Sequence, residues 1–210
     1  SFKYSKKNNL DIIPVILLIS FHLILTIISC IASEGTHSDP PMYFVQAQEA
    51  NSWFELFGIS STFIRFLIYP LINYFQFNYL SVFIVFSCFS IFGYLLLYDA
   101  LNKFKPIKVL FIDIKYLILF SPMFHFWMSF LGKDGLSFMF TMLLLTEFMK
   151  NKFNFKKFII PIVFLTFIRP YLLIFIFMAL ILTFLTLKIN TLKRFLFFFV
   201  IIFRNIFLQF

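Results

Sequence analysis

SFLGKDGLSF, residues 129–138, is the stretch on which the reading of the chain turns. Two opposite charges and two glycines, Gly132-Lys133-Asp134-Gly135, interrupt long runs of Phe, Leu, Met and Trp. Glycine permits tight backbone that other residues resist. The segment is therefore either a turn where the chain leaves an apolar phase or a place where something charged is handled.

Composition decides what that apolar phase is. Of 210 residues, 61% are hydrophobic, 13% are charged and 37 are Phe. A soluble domain is roughly 45–50% apolar and about 25% charged. One globule of this length cannot hide so much apolar side chain from water. Lipid is the expected solvent, and the Phe excess reads as lipid-exposed bulk. Cys30 and Cys88 lie in apolar runs without a partner at metal-ligand spacing, so neither is assigned a redox or metal role. A net charge of +9 is compatible with nucleic-acid binding, but its distribution along the chain fits a membrane topology instead.

Lys and Arg in short loops mark the cytoplasmic side. Most of the 18 basic residues fall into four groups: Lys3, Lys6 and Lys7; Lys103, Lys105, Lys108 and Lys115; Lys150, Lys152, Lys156 and Lys157; and Lys188, Lys193 and Arg194. With all four inside, each interval between neighbours is one excursion out and back. Residues 11–32 give a first span, at about 20 residues per crossing. Residues 33–60 carry Glu34, His37, Asp39, Glu49 and Glu55 and no Lys or Arg, as expected of an outer loop. Residues 79–98 return. Segment 61–78 is interrupted by Arg65, Pro70, Asn73 and Gln76 and reads as interfacial or re-entrant on the outer face.

Further along, 109–130 is expected to run outward, turn at Gly132–Gly135, and come back over 136–149. The interval 158–187 breaks at Ile168-Arg169-Pro170-Tyr171. As a hairpin, its first arm over 158–168 reaches only about 16 Å, half the ~30 Å hydrocarbon thickness. Arg169 then lies near mid-depth, where an unpaired charge costs at least ~2.5–3.5 kcal/mol, so it needs a wet cavity or a partner. Pro170 suits a broken helix. Residues 195–210 begin one more span and stop mid-run, and residue 1 is not Met; the chain reads as a single transmembrane domain belonging to something longer. The expected fold is an all-α polytopic membrane protein of about six to seven transmembrane helices. It has re-entrant or broken segments, an outer first loop and a cytoplasmic N-terminus.

The remaining basic residues are Arg65, Lys133, Arg169 and Arg204. On this topology the first three lie outside or in an outward-facing cavity, with the acids Glu34, Asp39, Glu49, Glu55 and Asp134. Cations neutralise phosphate oxygens. A carboxylate accepts a proton from an attacking alcohol or holds a divalent cation. His125 and Trp127 fit an aromatic belt at the outer interface; His22 and His37 give no metal or triad pattern. Glu147 and Asp113, near inner span ends, balance adjacent lysines.

Ser38-Asp39-Pro40-Pro41-Met42-Tyr43-Phe44-Val45-Gln46-Ala47, placed after a first span, resembles the first-loop acidic motif of GT-C-type membrane glycosyltransferases. Phe124-His125-Phe126-Trp127-Met128-Ser129-Phe130-Leu131-Gly132-Lys133-Asp134-Gly135 is similar to a stretch of bacterial polysaccharide-assembly proteins, including Wzy-like repeat-unit polymerases. Ile168-Arg169-Pro170-Tyr171 is similar to the Arg-Pro-His that follows there, with Tyr171 in place of the usual His. The resemblance covers about residues 11–187. It implies a polyprenyl phosphate- or pyrophosphate-linked sugar donor used on the outer face of the bacterial inner membrane. It also implies Asp39 as catalytic acid or base, or as ligand to a divalent cation. Lys133 and Arg169 would hold the donor phosphate, Asp134 would orient Lys133 or meet the acceptor, and Tyr43 would contact substrate. The residues themselves leave two other readings open: a transporter or flippase for a lipid-linked anion, and a structural subunit of a membrane complex.

Overall fold

The computed structural model describes residues 11–109, 111–149 and 155–188. Lys3, Lys6, Lys7, Lys150, Lys152, Lys193 and Arg194 lie outside the described residues, as do the apolar run 195–210 and its Arg204. The chain is mostly helical. Its contacts divide it at Arg169, with a first unit ending there and a second beginning at Pro170.

In the first unit, α1 (Ile12–Ser33) is followed by α2 (Asp39–Glu49), a short 3-10 turn (Phe54–Leu56), α3 (Ser61–Asn73) and α4 (Tyr79–Leu101). A small hairpin comes next, β1 (Lys108–Val109) paired antiparallel with β2 (Ile112–Asp113). The unit closes with α5 (Ile114–Leu119), α6 (Pro122–Ser129), α7 (Lys133–Phe148) and α8 (Phe155–Ile168). The second unit begins with α9 (Pro170–Lys188).

Among the described residues, α1 and α4 are long and apolar enough to cross a membrane, with 22 and 23 residues. At 1.5 Å per residue they measure about 33 and 35 Å. Helix α1 has an apolar exposed face, and polar groups make up much of its buried one. Its buried stripe is Val15, Leu18, His22, Thr26, Ser29, Cys30 and Ser33, while Ile13 is 73% and Ile31 66% exposed. Water would select the reverse arrangement, since burying apolar surface is what drives folding there.

The buried polar groups of α1 are matched across the interface. Thr26 Oγ1 lies 2.7 Å from Ser87 Oγ of α4, Ser29 Oγ lies 2.7 Å from Ser129 Oγ of α6, and Ser33 Oγ lies 2.9 Å from Tyr79 Oη. Hydrogen bonds of this kind hold apolar helices together where no hydrophobic force can. Helix α4 also crosses α7 closely. A Cβ on Gly93 would come within 3.1 Å of the Met139 Cα, and one on Gly135 within 2.7 Å of the Met128 carbonyl oxygen. Small residues at these points let the backbones approach.

Two expectations from the sequence are corrected here. Residues 109–130 do not form one outward span. Asp113 accepts from the Lys115 amide at 3.1 Å and starts α5, which ends after six residues. Pro122 lacks the amide hydrogen needed to continue that helix, and its ring opposes the carbonyl four residues back, so it restarts the chain as the first residue of α6. The Gly132–Gly135 segment, in turn, is a helix start and not a loop. Gly132 sits at the N-cap in extended backbone, with Lys133, Asp134 and Gly135 in the first turn of α7. Gly135 serves close packing against α6 and α4 more than a tight turn.

Segment 61–78 forms the 13-residue α3, too short at about 20 Å to cross alone. It packs on α2, and Asn73 Nδ2 donates to the Ala47 carbonyl at 3.1 Å. The break expected around Arg169 is present: Arg169 is non-helical, and Pro170 opens α9. Asp113 pairs with Lys115 at 3.5 Å, balancing it as its position suggested.

Candidate functional site

A cavity of about 320 Å³ is lined by residues from three places in the sequence: Ser38, Asp39 and Tyr43 of the first loop; Trp127, Lys133 and Asp134 around α6 and α7; and Arg169. All five site residues singled out from the sequence, Asp39, Tyr43, Lys133, Asp134 and Arg169, line it. Tyr171 belongs to the second unit.

Local sequence explains how each group arrives. Ser38 precedes α2 and two prolines follow Asp39, which suits a first turn because the missing amides would be unbonded there anyway. A carboxylate in that turn also complements the helix dipole. Tyr43 is one turn further on, so its hydroxyl reaches back and donates to Asp39 Oδ2 at 2.8 Å. Behind this wall, Ser61 opens α3. Its Oγ is 3.1 Å from Tyr43 Oη and 3.2 Å from Lys133 Nζ. The phenol has one hydrogen, already given to Asp39, so Ser61 must donate to Tyr43 and accept from Lys133. The order of donation is therefore Lys133 to Ser61 to Tyr43 to Asp39, and among the described residues no hydrogen bond engages Asp39 Oδ1.

Burial is the main cause that pushes the Tyr43 phenol up to about 12, with smaller opposing effects from its Ser61 and Asp39 hydrogen bonds. The ring therefore stays protonated at neutral pH and remains a donor to the carboxylate. Ser60, beside Ser61, has φ +64°, a left-handed backbone uncommon for a residue with a Cβ. Its amide donates to the Phe167 carbonyl at 2.6 Å, fastening the start of α3 to the end of α8 two residues before Arg169.

Arg169 pairs with Asp134: the guanidinium Nη2 donates to carboxylate Oδ1, joining the end of α8 to the first turn of α7. The resemblance implied that Asp134 would orient Lys133 or meet the acceptor; the structure gives it Arg169 as a partner, and Ser60 and Ser61 hold Lys133. Arg65 stands close by, its Nε donating to the Ser61 carbonyl at 3.3 Å and its Nη1 to Gln46 Oε1 at 2.9 Å. Trp127 and Phe130 supply an aromatic wall, with ring centroids 5.8 Å apart.

Divalent hard cations prefer six or more oxygen ligands. Among the described residues no group of three or more His, Cys, Asp or Glu could hold a metal. Asp39 and Asp134 are the carboxylates on the cavity wall, and Asp134 is engaged by Arg169.

His125 does not join an interfacial belt. It is fully buried, stacked on Tyr94 at 3.9 Å, with its Nδ1 2.8 Å from Nδ1 of His22. His125 Nε2 faces the Leu119 carbonyl at 2.5 Å and must donate to it. Its Nδ1 therefore accepts, and His22 Nδ1 carries the hydrogen. Sequence reasoning missed this pair and also the role of Ser61. The histidines are 103 residues apart and Ser61 is an ordinary helix-start serine, so no local pattern marked them. Searches against protein-family models, curated proteins and solved structures found no match to the chain.

Proposed function

We propose that the chain is a polytopic membrane glycosyltransferase or polysaccharide polymerase of the inner membrane. It takes a sugar from a polyprenyl phosphate or pyrophosphate at the outer face. The observation that carries this reading is the ordered arrangement of Lys133, Ser61, Tyr43 and Asp39 beside the Asp134–Arg169 pair, around one cavity.

Glycosyl transfer needs a base and cations, and both kinds of group line the cavity. A base removes the proton of the acceptor hydroxyl as its oxygen bonds to the anomeric carbon. Cations then stabilise the phosphate, which departs with the electron pair of the broken carbon–oxygen bond. On this reading Asp39 Oδ1 takes the proton, while Tyr43 donates to the other oxygen. On the same reading Lys133 and Arg169 receive the phosphate, charge-assisted contacts being roughly twice as strong as neutral ones. The aromatic wall suits the apolar face of a sugar ring.

The lipid part of such a donor has a complementary surface nearby. A groove of about 310 Å³ is lined by Leu67, Leu71, Phe86, Leu136, Phe140 and Phe164. Leu136 follows Lys133 by one helical turn on the same face of α7. The apolar exposed face of α1 and the two span-length helices support a membrane location. The distribution of lysines supports a cytoplasmic N-terminus and an outer first loop.

Asp39→Asn tests the chemistry. Full-length protein in vesicles containing polyprenyl-phosphate-linked hexose is expected to lose release of polyprenyl phosphate while still binding the lipid. Transfer at the wild-type rate removes Asp39 from the reaction. Movement of the lipid between leaflets without release, in both proteins, favours a flippase.

A further inference from the structure

The structure assigns a second surface, far along the chain from the cavity residues of the first loop. We propose that the hairpin β1–β2, with Phe111 at its tip, inserts into the headgroup region of an anionic bilayer leaflet. This inference does not depend on the glycosyltransferase reading.

The hairpin follows shortly after the end of α4, one of the two helices long enough to cross a membrane. Its base is closed by the Lys108–Asp113 pairing and by the Ile114 amide donating to the Ile107 carbonyl at 2.9 Å. Lys115 Nζ, in the first turn of α5 just after the hairpin, donates to Asn102 Oδ1 at the end of α4 at 3.2 Å. Phe111 has φ +70° and is 98% exposed. A bulky residue in left-handed backbone is an outlier that its surroundings must hold in place. What the turn achieves is to aim a whole phenyl ring away from the protein.

The ring is not isolated. Phe104 is 63% and Ile107 62% exposed, and Ile112, Leu117 and Ile118 continue the apolar strip towards α5. Charges frame this strip. Lys103 pairs with Asp99 at 3.6 Å and Lys115 with Asp113 at 3.5 Å. Lys105 and Lys108 form no ion pair among the described residues and leave a local positive excess. Exposed aromatic and aliphatic groups between unpaired lysines suit an interface, where stems lie along the acyl boundary and ammonium groups stay wet. Juxtamembrane lysines are drawn to anionic lipids. A water-filled surroundings gives the apolar tip nothing to bury against, and a neutral leaflet gives the two lysines no counter-charge.

The test uses the full chain with Trp53→Phe, Trp127→Phe and Phe111→Trp, reconstituted in vesicles of phosphatidylcholine or of equal parts phosphatidylcholine and phosphatidylglycerol. Expected are blue-shifted emission and quenching by lipids brominated on their acyl chains, stronger in the anionic vesicles. That excess should be lost in Lys105→Gln/Lys108→Gln, and also in about 1 M salt, where the screening length falls to about 3 Å. A tryptophan quenched by aqueous acrylamide and untouched by bromolipid overturns the proposal. Shielding from both quenchers also overturns it, because a protein partner or a second copy then covers the tip. Equal bromolipid quenching in both vesicle types overturns the anionic part. Phe104→Trp, on the hairpin approach, must give the same pattern.

Discussion

Replacing Arg169 with alanine separates the binding of a phosphate from the stability of the fold. The guanidinium and the Asp134 carboxylate are partly exposed, at 25% and 39% of their side-chain surface. Solvent screening then limits what the pair contributes to folding to about 0–1 kcal/mol. Asp134 also keeps the favourable dipole of the α7 N-terminus after Arg169 is gone. Arg169→Ala should therefore insert, fold and retain its helix content. Binding is a different matter. A hydrogen bond to a charged group contributes roughly 1.5–3 kcal/mol, so affinity for a phosphate headgroup should fall about 10- to 150-fold. Arg169→Lys restores the charge without the planar fork and should recover only part of the loss. The assay is quenching of Trp127, which lines the cavity, by polyprenyl phosphate titrated into Trp53→Phe protein in vesicles. Wild-type affinity in Arg169→Ala refutes the assignment. Unfolding of that variant refutes the claim that the ion pair is dispensable to the fold.

Three further outcomes are expected. Ser61→Ala interrupts the donor chain between Lys133 and Tyr43; transfer should slow by about tenfold, as for ~1.4 kcal/mol, with lipid binding preserved and recovery in Ser61→Thr, and an unchanged rate rules the chain out. Gly135→Ala drives a methyl into the Met128 carbonyl and should destabilise by about 1–3 kcal/mol in detergent unfolding, an unchanged midpoint denying the close crossing of α4, α6 and α7. Tyr43 is pushed up from 10.0 to about 12 by burial, so between those values the folded chain holds a proton that the unfolded chain releases. Its contribution to stability is complete below pH 10 and declines towards pH 12. Tyr43→Phe should lose less stability than wild type across that window, and parallel curves count against a buried phenol.

Much of this protein is legible without coordinates. Hydropathy is a sum over neighbours in the chain, so the apolar runs at 11–32 and 79–98 announced α1 and α4 to within a few residues. Lys133, Asp134 and Arg169 drew attention because charges are rare in so apolar a chain, whereas Asp39 was singled out by the resemblance of the first loop. Failure came where a local run carried a hidden stop. Residues 109–130 look like one span by average hydropathy, yet Asp113 and Pro122 divide them, because a side-chain cap and a missing amide outrank apolarity in deciding where helices end.

Composition and lysine order alone determined two expectations, a lipid environment and an outer first loop, and the short roster of charged groups worth attention. Which of those groups touch was decided by packing. Asp134 meets Arg169 across 35 residues, Lys133 meets Ser61 across 72, and His22 meets His125 across 103. A hydrogen bond operates over about 3 Å, and distance in space on that scale is set by how helices cross, at points such as Gly93 and Gly135, rather than by separation along the chain.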